Sequence, residues 1–173
     1  MYISDMITSK IYNSDGEIEQ IDTQFNDLYF FRKMTKYENE IKIYKILQTN
    51  NHPNIVDIYR FGIKCVDIEI LDTNMIDIDY TDIRNILLNI KDHLQNLGIV
   101  YIDWKDDQFG IDKDGKLKLF DFDCSGIIDK NTYKWVVEPP KFFAYNKAIE
   151  YGIKDPLEID NFSFNDNFPL NKA

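Results

Sequence analysis

Apolar residues recur at helical spacing in two stretches. In TKYENEIKIYKILQ (35–48), Tyr37, Ile41, Tyr44 and Leu47 share a face, which predicts a helix. Thr35 with Glu38 three residues on predicts a capping box at its start, and NNHPN (50–54) ends it. In DIRNILLNIKDHLQNLG (82–98), Ile83, Ile86, Leu87, Ile90, Leu94 and Leu97 form one stripe, and Gly98 suits a C-terminal stop. Other stretches alternate with period two. IVDIYRFG (55–62) and CVDIEILD (65–72) predict two strands, with Gly62 between them. FGIDKDGKLKLFDFD (109–123) predicts a hairpin turning at KDG. In residues 1–34, short apolar clusters are broken by NSDG (13–16) and DTQFND (22–27), predicting two or three strands, the last near DLYFFRK (27–33).

This order predicts an α+β fold. A sheet-rich part (1–72) is followed, after a boundary at DTNM (72–75), by a more helical part (73–173) that ends in an irregular segment. The charged loop YIDWKDDQFG (101–110) follows the second helix and is placed to face a cleft between the two parts.

Composition narrows the function classes. The 173 residues are 44% apolar, enough for one core. The net charge of −10 argues against general attraction to nucleic acid or to an anionic membrane. Two cysteines, Cys65 and Cys124, do not suggest a disulfide scaffold or a four-ligand zinc site. MYISDMITSK lacks the basic head and apolar run of a signal peptide, and no stretch approaches the roughly 18 apolar residues of a spanning helix. A soluble cytoplasmic protein is expected.

The candidate chemistry lies in Asp103, Lys105, Asp106 and Asp107, with Asp121 and Asp123 further on. LQNLGIVYIDWKDDQFGI resembles the catalytic loop of eukaryotic-type protein kinases, and KLKLFDFD resembles the strand entering their Asp-Phe-Gly motif. Asp103 to Lys105 is two positions, Asp103 to Gln108 five and Gln108 to Asp121 thirteen, as in that family. ENEIKIYKIL with HPNIV, DIEIL, and IDNFSFND also resemble family segments, so the likeness spans about residues 30–165. The resemblance implies a two-lobe kinase-like fold with a truncated C-terminal lobe, N-lobe 1–72 and C-lobe 73–173. It implies ATP and Mg²⁺ as cofactors. Asp103 would take or orient the acceptor hydroxyl's proton, and Lys105 would neutralise the moving phosphoryl group. Asp121 and Gln108 would hold metal. Lys33 and Glu40 would form the ion pair beside the phosphates, and Ile68, Glu69 and Leu71 would line the nucleotide pocket. Phosphoryl transfer consists mainly of positioning and charge stabilisation, which is why such a site needs carboxylates for metal and cations for phosphate.

Bland roles are expected for the neighbours. Asp123 reads as a turn residue, Asp106 and Asp107 as solvated, and Trp104 as buried support. His52 reads as a turn residue, His93 as a helix-face residue, and Cys124 as unreactive. The sequence also departs from the family. Ser4, Met6 and Ser9 stand where glycines would let backbone N–H groups approach phosphate. The strand cation is Lys33 or Arg32, whose side chains must point oppositely, and its partner is Glu40 or Glu38. Gln108 replaces an asparagine with an arm one methylene longer. Most of the helical C-lobe is missing. Small divergent kinase-like proteins of large DNA viruses look similar, which would place this one in host cytoplasm. Three readings follow: a Ser/Thr protein kinase, a pseudokinase binding nucleotide or a partner protein, and a small-molecule phosphotransferase. The apolar faces of a truncated lobe are expected to be covered by residues 151–164 and 168–170 or by a homodimer.

Overall fold

The computed structural model describes residues 8–12, 18–25, 28–73 and 78–170. The chain is α+β, as expected. Strands β1 (Thr8–Tyr12), β2 (Ile18–Phe25) and β3 (Leu28–Met34) are followed by helix α1 (Glu38–Thr49), then β4 (Ile58–Gly62) and β5 (Cys65–Ile68). These five strands form one antiparallel sheet in the order β1-β2-β3-β5-β4. The turn expected at DTQFND is displaced, because β2 continues through Phe25 and pairs it with Leu28. Residues 4–7 of the glycine-poor stretch, NSDG and part of DTNM lie outside the described residues.

Helix α2 (Tyr80–Asn96) starts two residues before the predicted stretch. The Asp79 side chain caps it by accepting from Thr81 N–H. Leu87, Ile90 and Leu94 are its fully buried apolar positions. Gly98 takes φ +78° just beyond the helix, a conformation only glycine adopts freely. Then come β6 (Ile99–Val100), a 3-10 turn (Asp106–Gln108), and the predicted hairpin of β7 (Phe109–Ile111) and β8 (Leu117–Leu119).

The segment read as irregular is structured. It holds β9 (Gly126–Ile128), β10 (Trp135–Val137), α3 (Phe143–Glu150) and α4 (Pro156–Asn167). Strands β10, β9 and β6 form a small antiparallel sheet. Each strand is only two or three residues long, too short for alternation to register.

The main core draws on both halves of the chain. Ile43, Val66 and Ile68 pack into the same buried cluster as Leu87, Leu119 and Phe122. The DTNM boundary is also bridged: Asp72 and Ile111 exchange backbone hydrogen bonds at 2.8 Å. Gly110 permits this approach, since a Cβ there would meet Asp72 O and Leu71 Cβ at 2.9 Å. A run of ring contacts crosses the core. Tyr44 of α1 meets Phe122 at 5.3 Å, Phe122 meets Tyr101 at 5.4 Å, Tyr101 meets Trp104 at 4.5 Å, and Trp104 meets Phe164 of α4 at 5.1 Å. Edge and tilted ring pairs of this kind add to area burial. Among the described residues, no helix is long and apolar enough to cross a membrane.

Candidate active site

Strand alternation turns Arg32 and Lys33 to opposite faces, and the fold chooses between them. Arg32 pairs with buried Asp67 on one face, its Nε 2.6 Å from Oδ1, and Arg60 joins the same carboxylate. Lys33 turns the other way. Its Nζ lies 2.5 Å from Glu40 Oε1 and 2.5 Å from Asp121 Oδ1. Glu38, the alternative partner, is exposed and pairs with Lys42.

The predicted capping box is absent. Tyr37 precedes α1 without a side-chain cap bond. Thr35 instead donates its backbone N–H to Lys64 O at 2.9 Å, and its hydroxyl is buried without a partner among the described residues. The reason is spatial. Thr35 is held against the β4–β5 turn, while Glu40 must lie under Lys33 in the first turn of α1. Asn39 then ties the helix to the segment after Asp121, donating to Ser125 O at 2.6 Å.

Glu40 is 1% exposed. Burial pushes its pKa up to about 7, with Lys33 pulling against that shift. Burial also works against the charge on Lys33, but Tyr44, Asp121 and Glu40 outweigh it and hold its pKa above the ordinary lysine range. Lysine therefore stays charged between two carboxylates, and the less exposed carboxylate bears the strain of the excess charge.

The acidic loop is held in an uncommon backbone shape. Asp103 N–H donates to Tyr101 O at 2.9 Å about Ile102, whose φ is +70°. A β-branched residue there costs on the order of 1–3 kcal/mol. Asp160 of α4 offsets that cost. Its buried carboxylate accepts from Ile102 N–H at 3.0 Å, Trp104 Nε1–H at 2.7 Å and Gln95 Nε2 at 2.8 Å. Ser163 donates its hydroxyl to Ile102 O. Burial raises the Asp160 pKa, against the hydrogen bonds from Ile102, Trp104 and Gln95. The sequence pattern assigns Asp160 no role; the signal available was its place in IDNFSFND, which resembles a family segment.

Asp103 accepts at Oδ2 from both Lys105 Nζ and Gln108 Nε2, each at 2.9 Å. Burial raises its pKa, Lys105 lowers it, and Asp123 and Asp121 raise it further. Asp121 follows β8, and its Oδ1 also accepts from Asp123 N–H at 3.0 Å. Asp103, Lys105, Gln108 and Asp121 line a cavity of about 370 Å³, whose far wall includes Phe142, Phe143 and Phe162. Gln108 turns its carboxamide N–H₂ toward Asp103. Among the described residues, the Asp, Glu, His and Cys side chains close enough to share a cation are Asp103, Asp123 and Cys124, with ligand atoms all within 4.8 Å of one another. Asp123 and Cys124 had been read as a turn residue and an unreactive thiol. Burial and the neighbouring Asp123 carboxylate push the Cys124 thiol pKa well up.

Ile68, Glu69 and Leu71 line a second cavity of about 270 Å³, together with Phe31 and Phe120. The Glu69 carboxylate is engaged by Lys118 at 2.6 Å. Trp104 is buried, and Asp106 and Asp107 are exposed, as expected. His52 and His93 pack on each other with ring centroids 4.9 Å apart. The chain matches no protein-family model, and no curated protein matches it.

Proposed function

We propose that the chain is a divergent protein kinase-like enzyme with a two-lobe fold. It transfers phosphate from ATP to a Ser or Thr hydroxyl of a protein, with Mg²⁺. The observation that carries this reading is the placement of Lys33 between Glu40 and Asp121, beside a cavity that also holds Asp103 and Lys105. Such a cation would position phosphate, and Asp121 would hold a metal that offsets phosphate charge. Asp103 accepts the hydroxyl proton, Lys105 offsets charge on the phosphoryl group, and Gln108 supports the second metal position. Ile68, Glu69 and Leu71 take the base. The divergent motifs resemble those of small kinase-like proteins of large DNA viruses, which would place the protein in host cytoplasm.

One observation favours a second reading, a pseudokinase that binds nucleotide or a partner protein. Gln108 presents N–H rather than oxygen to the loop, bonded to Asp103. Thermal unfolding with ATP, with and without Mg²⁺, separates the cases. A ligand at about 100 times its Kd adds roughly 2.7 kcal/mol, about 5–11 °C at this size. A Mg²⁺-dependent rise, lost in Asp121→Asn, followed by phosphate transfer lost in Asp103→Asn, supports the enzyme. A rise without transfer supports the pseudokinase. No rise overturns both nucleotide readings.

A further inference from the structure

We propose that Asp103, Asp123 and Cys124 form a binding site for a borderline-soft divalent cation of the zinc class. Their ligand atoms, two carboxylate oxygens and a sulfur, stand within 4.8 Å of one another. A mixed oxygen and sulfur set suits such cations, whereas Mg²⁺ takes oxygen alone. Three protein ligands leave the fourth tetrahedral position open, and all three residues line the 370 Å³ cavity from which a water or substrate atom can fill it.

The geometry leaves these atoms available. Lys105 and Gln108 both contact Asp103 through Oδ2, so Oδ1 remains for metal. Asp121 engages Lys33 and stays outside the set. Charge agrees as well: among the described residues Asp103 pairs with Lys105 and Asp121 with Lys33, while Asp123 forms no ion pair. The Tyr101 hydroxyl, 1% exposed and without a hydrogen-bond partner among the described residues, lies in the field of Asp121, Asp103 and Asp123. On binding, the Cys124 thiol loses its proton to solvent and a metal–thiolate bond forms. No oxidant or reductant is required.

The site stands whether or not the cleft transfers phosphate. Co²⁺ is the probe, added to the full chain with Cys65→Ser, Cys124→Ser, Asp123→Asn and Asp121→Asn compared after metal-free melting. Thiolate-to-cobalt absorption is expected to saturate at one equivalent and to disappear when Zn²⁺ is added. It should persist in Cys65→Ser and in Asp121→Asn, which tests the nucleotide site separately. It should vanish in Cys124→Ser, and Asp123→Asn should weaken affinity at least tenfold. No absorption in the wild type, absorption surviving Cys124→Ser, or unchanged affinity in Asp123→Asn would each overturn the assignment. If Cys124→Ser does not fold, the Asp123→Asn affinity decides.

Discussion

Lys33 Nζ and Asp121 Oδ1 stand 2.5 Å apart although 88 positions separate them in the chain, and Glu40 shares the same ammonium. One cation therefore joins β3, α1 and the segment after β8. Lys33→Met leaves two carboxylates uncompensated, one fully buried. Unfolding free energy is expected to fall by about 3 kcal/mol or more. Adding Glu40→Gln should return part of that loss. Urea unfolding of the two variants measures it, and equal losses would rule out charge as the cause.

Glu40 gives a pH dependence whose sign follows from its raised pKa. Folded, it titrates at about 7, against 4.5 ordinarily. Between those values the folded protein keeps a proton that the unfolded chain has released. The stabilisation is complete below about pH 4.5 and is lost as pH rises through 7. Wild type should therefore lose on the order of 1–3 kcal/mol relative to Glu40→Gln between pH 5 and 8. Denaturant titrations of both proteins at these pH values check it. Parallel curves would mean that Lys33 fully compensates the carboxylate.

Asp103→Asn separates chemistry from stability. Its bond to the half-exposed Lys105 is worth less than about 1 kcal/mol, so melting should barely move. On the proposed kinase reading, loss of Asp103 as general base should slow phosphate transfer about 10²–10⁴-fold. A transfer rate at the wild-type level would remove Asp103 from the mechanism.

Asp160→Ala strands the buried N–H groups of Ile102 and Trp104. At about 1–3 kcal/mol for each unsatisfied group, a loss of roughly 2–6 kcal/mol is expected. Trp104 emission should shift to the red as the loop relaxes. Stability loss with unchanged Trp104 emission would show that the loop holds its shape without this carboxylate.

Lys64 is exposed at φ 55° in the turn between β4 and β5. Asparagine tolerates this conformation better than lysine. Lys64→Asn should raise stability by a few tenths to about 1 kcal/mol, read from the denaturation midpoint.

Periodicity made the long elements legible, because α2 and the β7–β8 hairpin carry their burial pattern within one local stretch. In α1 the buried face is displaced. Asn39, Glu40 and Ile43 are covered where Tyr37 and Ile41 were expected, since the ion pair with Lys33 and the bond to Ser125 O turn the helix. A polar residue recruited by a distant partner leaves no trace in a hydrophobic pattern. The same cause hid Asp160, whose three donors come from α2 and the 101–105 loop. Lys33 was legible as one of two candidates, because strand alternation limits the options and only the fold chooses between them. Strands β6, β9 and β10 were too short to announce themselves, and their pairing depends on chain that returns after Asp121.

Asp160 also sets an order of events during synthesis. The 101–105 loop leaves the ribosome well before α4, yet the carboxylate and hydroxyl that hold Ile102 at positive φ belong to α4. A nascent chain that has reached only β9 carries Asp103 and Asp121 but lacks the support that fixes Asp103 beside Lys105. The shape of the 101–105 loop is thus left unfixed until the residues of α4 have been made, and protease protection of the loop should appear late in translation.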